Sequence, residues 1–384
     1  MLFRSYLTGG IGSRHDRERF GENYELPNLT GYLETCASIV MAFWNHRMFL
    51  LTGEAGYLDV MERAVYNGVL AGVSLEGDSF FYANPLASDG LFKFNQDELG
   101  RAPFFETACC PGNIARFLPS LPGYVYAVRG DVLYVNLFAA GSARVGLAGR
   151  TVAVKQETRY PWDGTVRLTF EPERAAEFAV HVRVPGWAQN RPLPTDLYHY
   201  LERGDAKVEI RVNGERADMN WDKGFARFRR VWKKGDVLEI VFPMDPRRVG
   251  AHEAVKDDRN RVAVERGPLV YCAEGLDNGG RALGLVLPDD AALLAEWRPD
   301  FLQGLTVIKA KASQGGAKRD LVLIPYYAWA HRERGEMAVW LIRQETGKPP
   351  DSRTERAAAL FSSSISPQEP WAAVLVLKDG QTLF

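Results

Sequence analysis

Cysteine is scarce in this sequence, with only four among 384 residues: Cys36, Cys109, Cys110 and Cys272. So low a content excludes the class of small secreted domains that are held together by disulfides. Neighbouring cysteines such as Cys109 and Cys110 rarely bond to each other, because the ring that would form is strained. We therefore expect free or metal-bound thiols and a reducing, cytoplasmic environment.

Long apolar runs and an excess of one charge are also lacking. No apolar run approaches the roughly 18–20 residues that span a bilayer. The first residues, MLFRSYLTGGIGS, lack the charged and apolar regions of a secretory signal. The formal net charge is -1 and the sequence pI is about 6.6, which gives no basic surface for nucleic acid or anionic lipid. We expect neither a nucleic acid nor a membrane as a partner.

The first part of the chain, to about residue 125, has the periodicity of helices. Apolar residues recur at the spacing of one helix face over 33–51, and Thr52-Gly53 would end this helix. A second helix is predicted over 57–70. A third is predicted to begin at Pro111, a residue suited to the first helical position, and to end near residue 118.

From about residue 125 the hydrophobic period changes from that of helices to two. Short alternating segments such as DVLYVNLF, TVRLTF and KVEIRVNGE are separated by Gly, Pro, Asn and Asp turns, a pattern typical of a β-sandwich. The length allows two or three domains. We predict a multidomain α+β protein, with a helical domain over 1–125, a β-sandwich over 126–245, a second β-sandwich over 246–346, and a linker or tail over 347–384.

Four side chains could together bind a metal ion. Glu34 lies two residues before Cys36, and Cys109 and Cys110 follow about seventy residues later. Three thiolates and a carboxylate suit a tetrahedral zinc site. Residues two apart on an ideal helix point in different directions, so the helix would have to begin irregularly near Glu34, and the adjacent cysteines would have to lie in a loop. The alternative is that the cysteines are small buried apolar residues and that Glu34 is a solvated carboxylate at a helix start.

A carboxylate-rich loop over 8–28 precedes this first helix, and most such charges are solvated. A catalytic acid in this loop would need an environment that raises its pKa. Two histidines are possible ligands or bases, although structural roles are more common. The carboxylates of the loop are Asp16, Glu18, Glu22 and Glu25, and the two histidines are His15 and His46.

Aromatic residues would matter if the ligand were a sugar, because the apolar faces of sugars pack on rings. The segment FFYANPL offers Tyr82 and Asn84 as candidates for stacking and for binding hydroxyl groups. Core packing is the alternative, and we prefer it for Phe80 and Phe81.

Several motifs in this order resemble glycoside hydrolase family 127, the β-L-arabinofuranosidases: TGGIGS, YELPN, ETCAS, FYANPL and ACCPGNIAR. The later segments HVRVPGWA, VERGPLVYC, IPYYAWA and GEMAVWL resemble the C-terminal sandwiches of the same family. The resemblance covers residues 8 to about 342. It implies an (α/α)6 barrel followed by β-sandwich domains of jelly-roll type, and a retaining exo-glycosidase that contains zinc.

Carried over to this sequence, the resemblance implies the following roles. Zinc would be held by Glu34, Cys36, Cys109 and Cys110, with Cys109 as the nucleophile. Glu18 would be the acid/base, with Glu22 as the fallback, and Cys272 would be a buried thiol that does not bind the metal. The implied partner is a carbohydrate substrate. The oligomeric state stays open, with a homodimer as one expectation.

This sequence also departs from the family. A long helical segment normally precedes TGGIGS, so the helical domain is expected to be only the C-terminal part of the barrel. We expect this chain alone to be poorly active, because an open half-barrel cannot enclose a sugar. Gly112 stands where the family more usually has a second proline. The segment 249–262 looks shortened or diverged from the usual segment of the family. Two alternatives to the enzyme are a non-catalytic carbohydrate-binding fragment and a structural zinc fragment.

Overall fold

The computed structural model describes residues 3–345, 377–378 and 381–382. Nearly all of the predicted linker or tail, 347–384, lies outside these residues. No helix within the described ranges is both long and apolar enough to cross a membrane.

The α-helices of the described residues lie in the first third of the chain. α2 continues directly into a π-helical turn, Ala64–Val69, and a 3₁₀ turn, Leu70–Gly72. The α-helices among the described residues are α1 (Thr35–Thr52), α2 (Ala55–Arg63), α3 (Cys109–Phe117) and α4 (Pro122–Val125).

The predicted helices are present, but their boundaries differ. α1 ends where Gly53 adopts a left-handed backbone (φ 71°) and its N–H donates to Phe49 O at 2.7 Å, so the predicted stop is confirmed. The prediction that the third helix begins at Pro111 is wrong, because α3 begins at Cys109. Proline is tolerated throughout the first helical turn, where backbone N–H groups have no intrahelical partner, so it does not mark the first residue.

Two mostly antiparallel sheets follow the helices. The inward residues of β6 and β7, such as Leu168 and Val180, belong to one buried cluster, so the two sheets pack face to face as in a β-sandwich. The first sheet has the order β10 (Glu215–Arg216), β9 (Glu209–Val212), β13 (Asp236–Val241), β6 (Thr165–Pro172), β5 (Arg150–Thr158), β4 (Gly141–Leu147). The second has the order β11 (Asn220–Asp222), β12 (Phe225–Trp232), β7 (Ala176–Arg183), β3 (Val132–Val135), β2 (Tyr126–Arg129).

The remaining long strands form a single sheet of eleven strands. Its order is β1 (Ala87–Asp89), β21 (Glu336–Ala338), β16 (Leu269–Glu274), β20 (Ala317–Pro325), β19 (Leu305–Gln314), β17 (Val286–Pro288), β22 (Leu341–Gln344), β15 (Arg261–Arg266), β14 (Arg247–Ala251), β8 (Tyr198–Tyr200), with β18 (Leu294–Arg298) beside β19. Because β15 also pairs with β16, six of these strands close into a ring. The sequence predicted two opposed sheets here, and the strand pairing instead describes one sheet that closes on itself. Beyond it, β23 (Leu377–Lys378) pairs with β24 (Gln381–Thr382).

Helix α2 is joined to both β regions by buried ion pairs. Arg183 of β7 pairs with Asp59 and Glu62, and Arg63 pairs with Glu265 of β15 at 2.7 Å. All five side chains are almost fully buried. Removing one partner of such a pair leaves an unpaired buried charge, which costs about 3–5 kcal/mol. These contacts therefore fix α2, and with it the packed α1, against the sheets.

Candidate metal and catalytic centre

The chain turns sharply just before α1. Leu33 has a left-handed backbone (φ 42°), a conformation that is strained for a branched residue. It is held by a hydrogen bond from Leu33 N–H to Gly12 O at 2.8 Å and by one from Asn84 Nδ2 to Leu33 O at 2.9 Å. Glu34 then occupies the N-cap position without a capping hydrogen bond from its side chain, and Cys36 lies in the first turn of the helix. This is the irregular helix start that a shared metal site requires.

Cys109 and Cys110 are the first two residues of α3. The expectation that they must lie in a loop is therefore wrong. At the first turn of a helix the backbone N–H groups and the helix dipole favour negative charge, and a helix N-terminus is a known setting for reactive thiolates. The starts of α1 and α3 thus both present partial positive charge to the same group of cysteines.

The four predicted donors lie together. Cys36 Sγ is 3.3 Å from the Sγ atoms of both Cys109 and Cys110, which are 3.7 Å from each other. Glu34 Oε1 is 3.3 Å from Cys109 Sγ and 3.6 Å from Cys110 Sγ. All four donor atoms lie within 4.8 Å of one another.

These separations suit one tetrahedral ion. With metal–sulfur bonds of about 2.3 Å, the sulfurs of a tetrahedral site lie about 3.7 Å apart. The sulfur–sulfur distances are too long for a disulfide, whose bond is about 2.05 Å, and all four cysteines are free. The donor set and its spacing therefore fit zinc.

The thiols are not equivalent in charge. Cys36 and Cys110 share a hydrogen bond between their sulfurs, which lowers the pKa of Cys36 and raises that of Cys110. The Asn113 amide also lowers the pKa of Cys36. Burial raises the pKa of Cys109 to about 11. Three thiolates beside a carboxylate repel one another, so a bound cation is what would allow all of them to ionise.

Two tyrosines connect Cys109 with Glu18. The Tyr82 hydroxyl lies 3.0 Å from Cys109 Sγ, and the Tyr82 ring lies 6.2 Å from the ring of Tyr32. The Tyr32 hydroxyl donates to Glu18 Oε1 at 2.8 Å. Burial raises the pKa of both tyrosines, so both remain hydrogen-bond donors at neutral pH. Sequence reasoning proposed Tyr82 but missed Tyr32, whose only signal was its position two residues before Glu34.

The other acids of the loop have different surroundings. Glu25 forms two 2.6 Å hydrogen bonds with Arg14, which hold its pKa down at about 2. Asp16 pairs with Arg19, and the backbone of Glu22 donates its N–H to the Glu25 carboxylate and accepts from the Glu25 N–H. Of these four carboxylates, Glu18 is the one with a described link to the cysteines.

The other candidate residues lie outside the group of four donors and have other contacts. Asn84 is buried and donates to Leu33 O and Thr35 Oγ1, contacts that hold the helix start and differ from the predicted binding of sugar hydroxyls. His15 packs edge-on against Tyr32, and burial lowers its pKa. His46 packs against Tyr124, which suits a structural role. Cys272 is fully buried in β16 and is not part of the four-residue group.

Three family models match the chain in succession. Their descriptions are β-L-arabinofuranosidase, GH127 catalytic domain, over residues 3–123; GH127 middle domain, over 132–244; and glycoside hydrolase family 127 C-terminal domain, over 246–342. A non-reducing end β-L-arabinofuranosidase from Bifidobacterium longum subsp. longum is 36% identical, with 88% of this chain matched to 53% of that protein.

Solved structures give the same similarity. A β-arabinofuranosidase of this family superposes with a TM-score of 0.84 at 45% identity, over 89% of this chain and 54% of the other. A β-L-arabinofuranosidase from Geobacillus stearothermophilus T6 gives 0.82 at 40% identity, over 90% and 55%. The chain therefore spans about half the length of the relatives it matches.

Proposed function

The chain belongs to glycoside hydrolase family 127, and we propose that it provides the catalytic centre of a hydrolase acting on β-L-arabinofuranosides or a related sugar linkage. The observation that supports this most is the convergence of Glu34, Cys36, Cys109 and Cys110 from two helix starts. The similar proteins are named as arabinofuranosidases, which supports the same activity.

The donor set supports zinc as the metal. A zinc ion held by Glu34, Cys36, Cys109 and Cys110 would stabilise the thiolate form of its cysteine ligands. Cys109 is only partly buried, whereas Cys110 is fully buried. A substrate can therefore approach Cys109 more easily, which supports Cys109 as the nucleophile.

The proposed reaction uses two displacements at one carbon. The Cys109 sulfur attacks the anomeric carbon while the bond to the leaving oxygen breaks, and Glu18 gives its proton to that oxygen. Glu18 then takes a proton from water, whose oxygen displaces the sulfur and releases the sugar. The second displacement restores the original configuration, so the proposed enzyme is a retaining glycosidase. The name of the Bifidobacterium longum relative, a non-reducing end β-L-arabinofuranosidase, supports exo action.

We also propose that the helices of 1–125 are the C-terminal part of an (α/α)6 barrel, followed by β domains over 126–245 and 246–346. The outward side of α1 supports this, because large apolar residues there are exposed: Val40 at 58%, Trp44 at 53% and Leu51 at 80%. Such a patch is typical of a surface that packs against another part of a protein.

Metal content and turnover test the proposal on this chain. Protein purified under reducing conditions should contain one zinc ion per chain by elemental analysis, and should slowly release aglycone from an aryl β-L-arabinofuranoside. Cys109→Ser should reduce release to background, whereas Cys272→Ser, at the buried thiol of β16, should preserve both properties in the folded fraction. Absence of zinc, or normal turnover by Cys109→Ser, would refute it. Zinc without turnover in every variant would favour a structural zinc fragment.

A further inference from the structure

Asn113 contacts the metal-binding group from outside it. It lies on α3, one turn after Cys109 and Cys110, and its Nδ2 atom is 2.9 Å from the Sγ atom of Cys36 on α1. The amide thus joins the starts of the two helices that supply the cysteine donors.

The amide can face the sulfur in only one way. The Arg116 guanidinium donates to Asn113 Oδ1, and a guanidinium has donors but no acceptor. The oxygen of the amide must therefore point at Arg116, and the NH₂ group must point at Cys36. The two orientations of the Asn113 amide are therefore not equivalent, because the arginine selects one of them.

The three sulfurs consequently have different hydrogen-bond partners. Cys36 Sγ accepts from the Asn113 amide, whereas Cys109 Sγ faces the Tyr82 hydroxyl, which is also a hydrogen-bond donor, and Glu34. An N–H hydrogen bond to a ligating sulfur holds that sulfur in place, so Cys36 is a better fixed ligand. Groups that hold metal ligands in this way typically change metal affinity by about 10–100-fold.

We propose that Asn113 is a positioning residue that fixes Cys36 as a non-reacting ligand of the metal. The inference rests on the proposed metal site and goes further, because it assigns the fixed position of the Cys36 sulfur to one amide and to the arginine that orients it. It predicts that the electronic environment of the Cys36 sulfur changes when the amide is removed.

Cobalt substitution of the full chain tests this without measuring turnover. Co²⁺ bound by thiolates absorbs in the near ultraviolet, and the band moves to longer wavelength when a thiolate loses a hydrogen bond. Asn113→Ala should show this shift and bind Co²⁺ about 10–100-fold more weakly in competition with a chelator. Asn220→Ala, at an exposed asparagine of β11, should change neither property.

A second variant guards against loss of folding. Arg116 is exposed on α3, so Arg116→Ala should leave the fold intact while freeing the amide to rotate, and should shift the band in the same direction by a smaller amount. Unchanged spectra and affinity in Asn113→Ala, or in Arg116→Ala if Asn113→Ala does not fold, would overturn the inference. Failure of the unsubstituted protein to bind Co²⁺ would instead overturn the proposed metal site.

Discussion

At the scale of single residues, the acid/base assignment depends on a short line of side chains. Glu18 receives a hydrogen bond from Tyr32, whose ring lies beside Tyr82, and Tyr82 contacts Cys109. A general acid must be held within reach of the bond that breaks. The tyrosines give Glu18 a fixed position relative to the cysteines, which no described contact does for Glu22.

Replacing the two acids separately distinguishes them. Glu18→Gln should lower kcat/KM by about 10²–10⁴-fold, the usual contribution of a general acid or base. Glu22→Gln, three residues before Glu25 in the same exposed loop, is the matched control and should remain within about twofold. Steady-state kinetics with an aryl glycoside measures both. The reverse order of effects would move the assignment to Glu22.

Residue types and spacing made the four residues candidates for a metal site but left buried apolar cysteines as an alternative, and the family resemblance is what implied the full ligand set. The sequence did not predict that the Asn84 amide donates to Leu33 O and Thr35 Oγ1. Tyr32 and Asn113 were missed for a related reason. A single tyrosine or asparagine has many possible roles, and only the fold brings these two against Glu18 and Cys36.

At the scale of secondary-structure elements, the site depends on how α1 begins. Leu33 is strained, and Glu34 follows it directly. Asn84 stabilises this turn from both sides, through Leu33 O and Thr35 Oγ1, each at 2.9 Å. A change that loosens the turn should therefore displace the Glu34 carboxylate from the cysteines.

Asn84→Ala should show this effect. We expect a loss of about 1–3 kcal/mol in the free energy of unfolding from the unpaired buried groups, together with at least tenfold weaker zinc binding. Asn67→Ala is the matched control, because Asn67 is equally buried and bonds to Pro268 O and Val270 N. It should lose similar stability and keep its zinc affinity. Urea unfolding and chelator competition measure the two quantities, and equal zinc affinity in both variants would contradict the account.

Helix and strand types were predictable from periodicity, but their boundaries and pairing were not. Pro111 suggested a helix start two residues too late, because the cysteines before it also adopt helical geometry. In the C-terminal region the sequence identified strands correctly, but β15 and β16 are buried on both faces and show no alternation of burial. Closure of the sheet depends on the pairing of β15 with β16, a contact that local alternation cannot specify.

At the scale of the whole molecule, buried charges join the helices to the sheets and make stability depend on pH. Burial raises the pKa of Asp59 to about 6 and that of Asp258 to about 7. Asp258 also accepts a 2.7 Å hydrogen bond from Asn28, in the loop before α1. In the unfolded chain both carboxyl groups titrate near 3.8.

The sign of the effect follows from these values. Between pH 4 and 7 the folded protein holds protons on these groups that the unfolded chain has released, so the free energy of unfolding falls as pH rises. For Asp258 alone, a rise from 3.8 to about 7 corresponds to about 4 kcal/mol.

Asp258→Asn should therefore flatten the pH dependence, since the amide cannot ionise yet keeps an oxygen for Asn28. Urea unfolding at several pH values between 4 and 7.5 measures the slope. Asp300→Asn, at an exposed aspartate, is the control and should follow the unsubstituted protein. If Asp258→Asn has the same slope as the unsubstituted protein, the carboxyl group is ionised in the fold and the prediction is wrong.

The central claim is that Cys109 is the nucleophile, and trapping the covalent intermediate tests it most directly. The full chain is incubated with an aryl β-L-arabinofuranoside that has a good leaving group, quenched in acid, digested and mapped by mass spectrometry. Slow turnover is no obstacle, because one displacement is enough to label the protein. We predict one pentosyl adduct on Cys109, absent from Cys109→Ser. An adduct on another residue, or release of aglycone while Cys109 stays unmodified, would contradict the account.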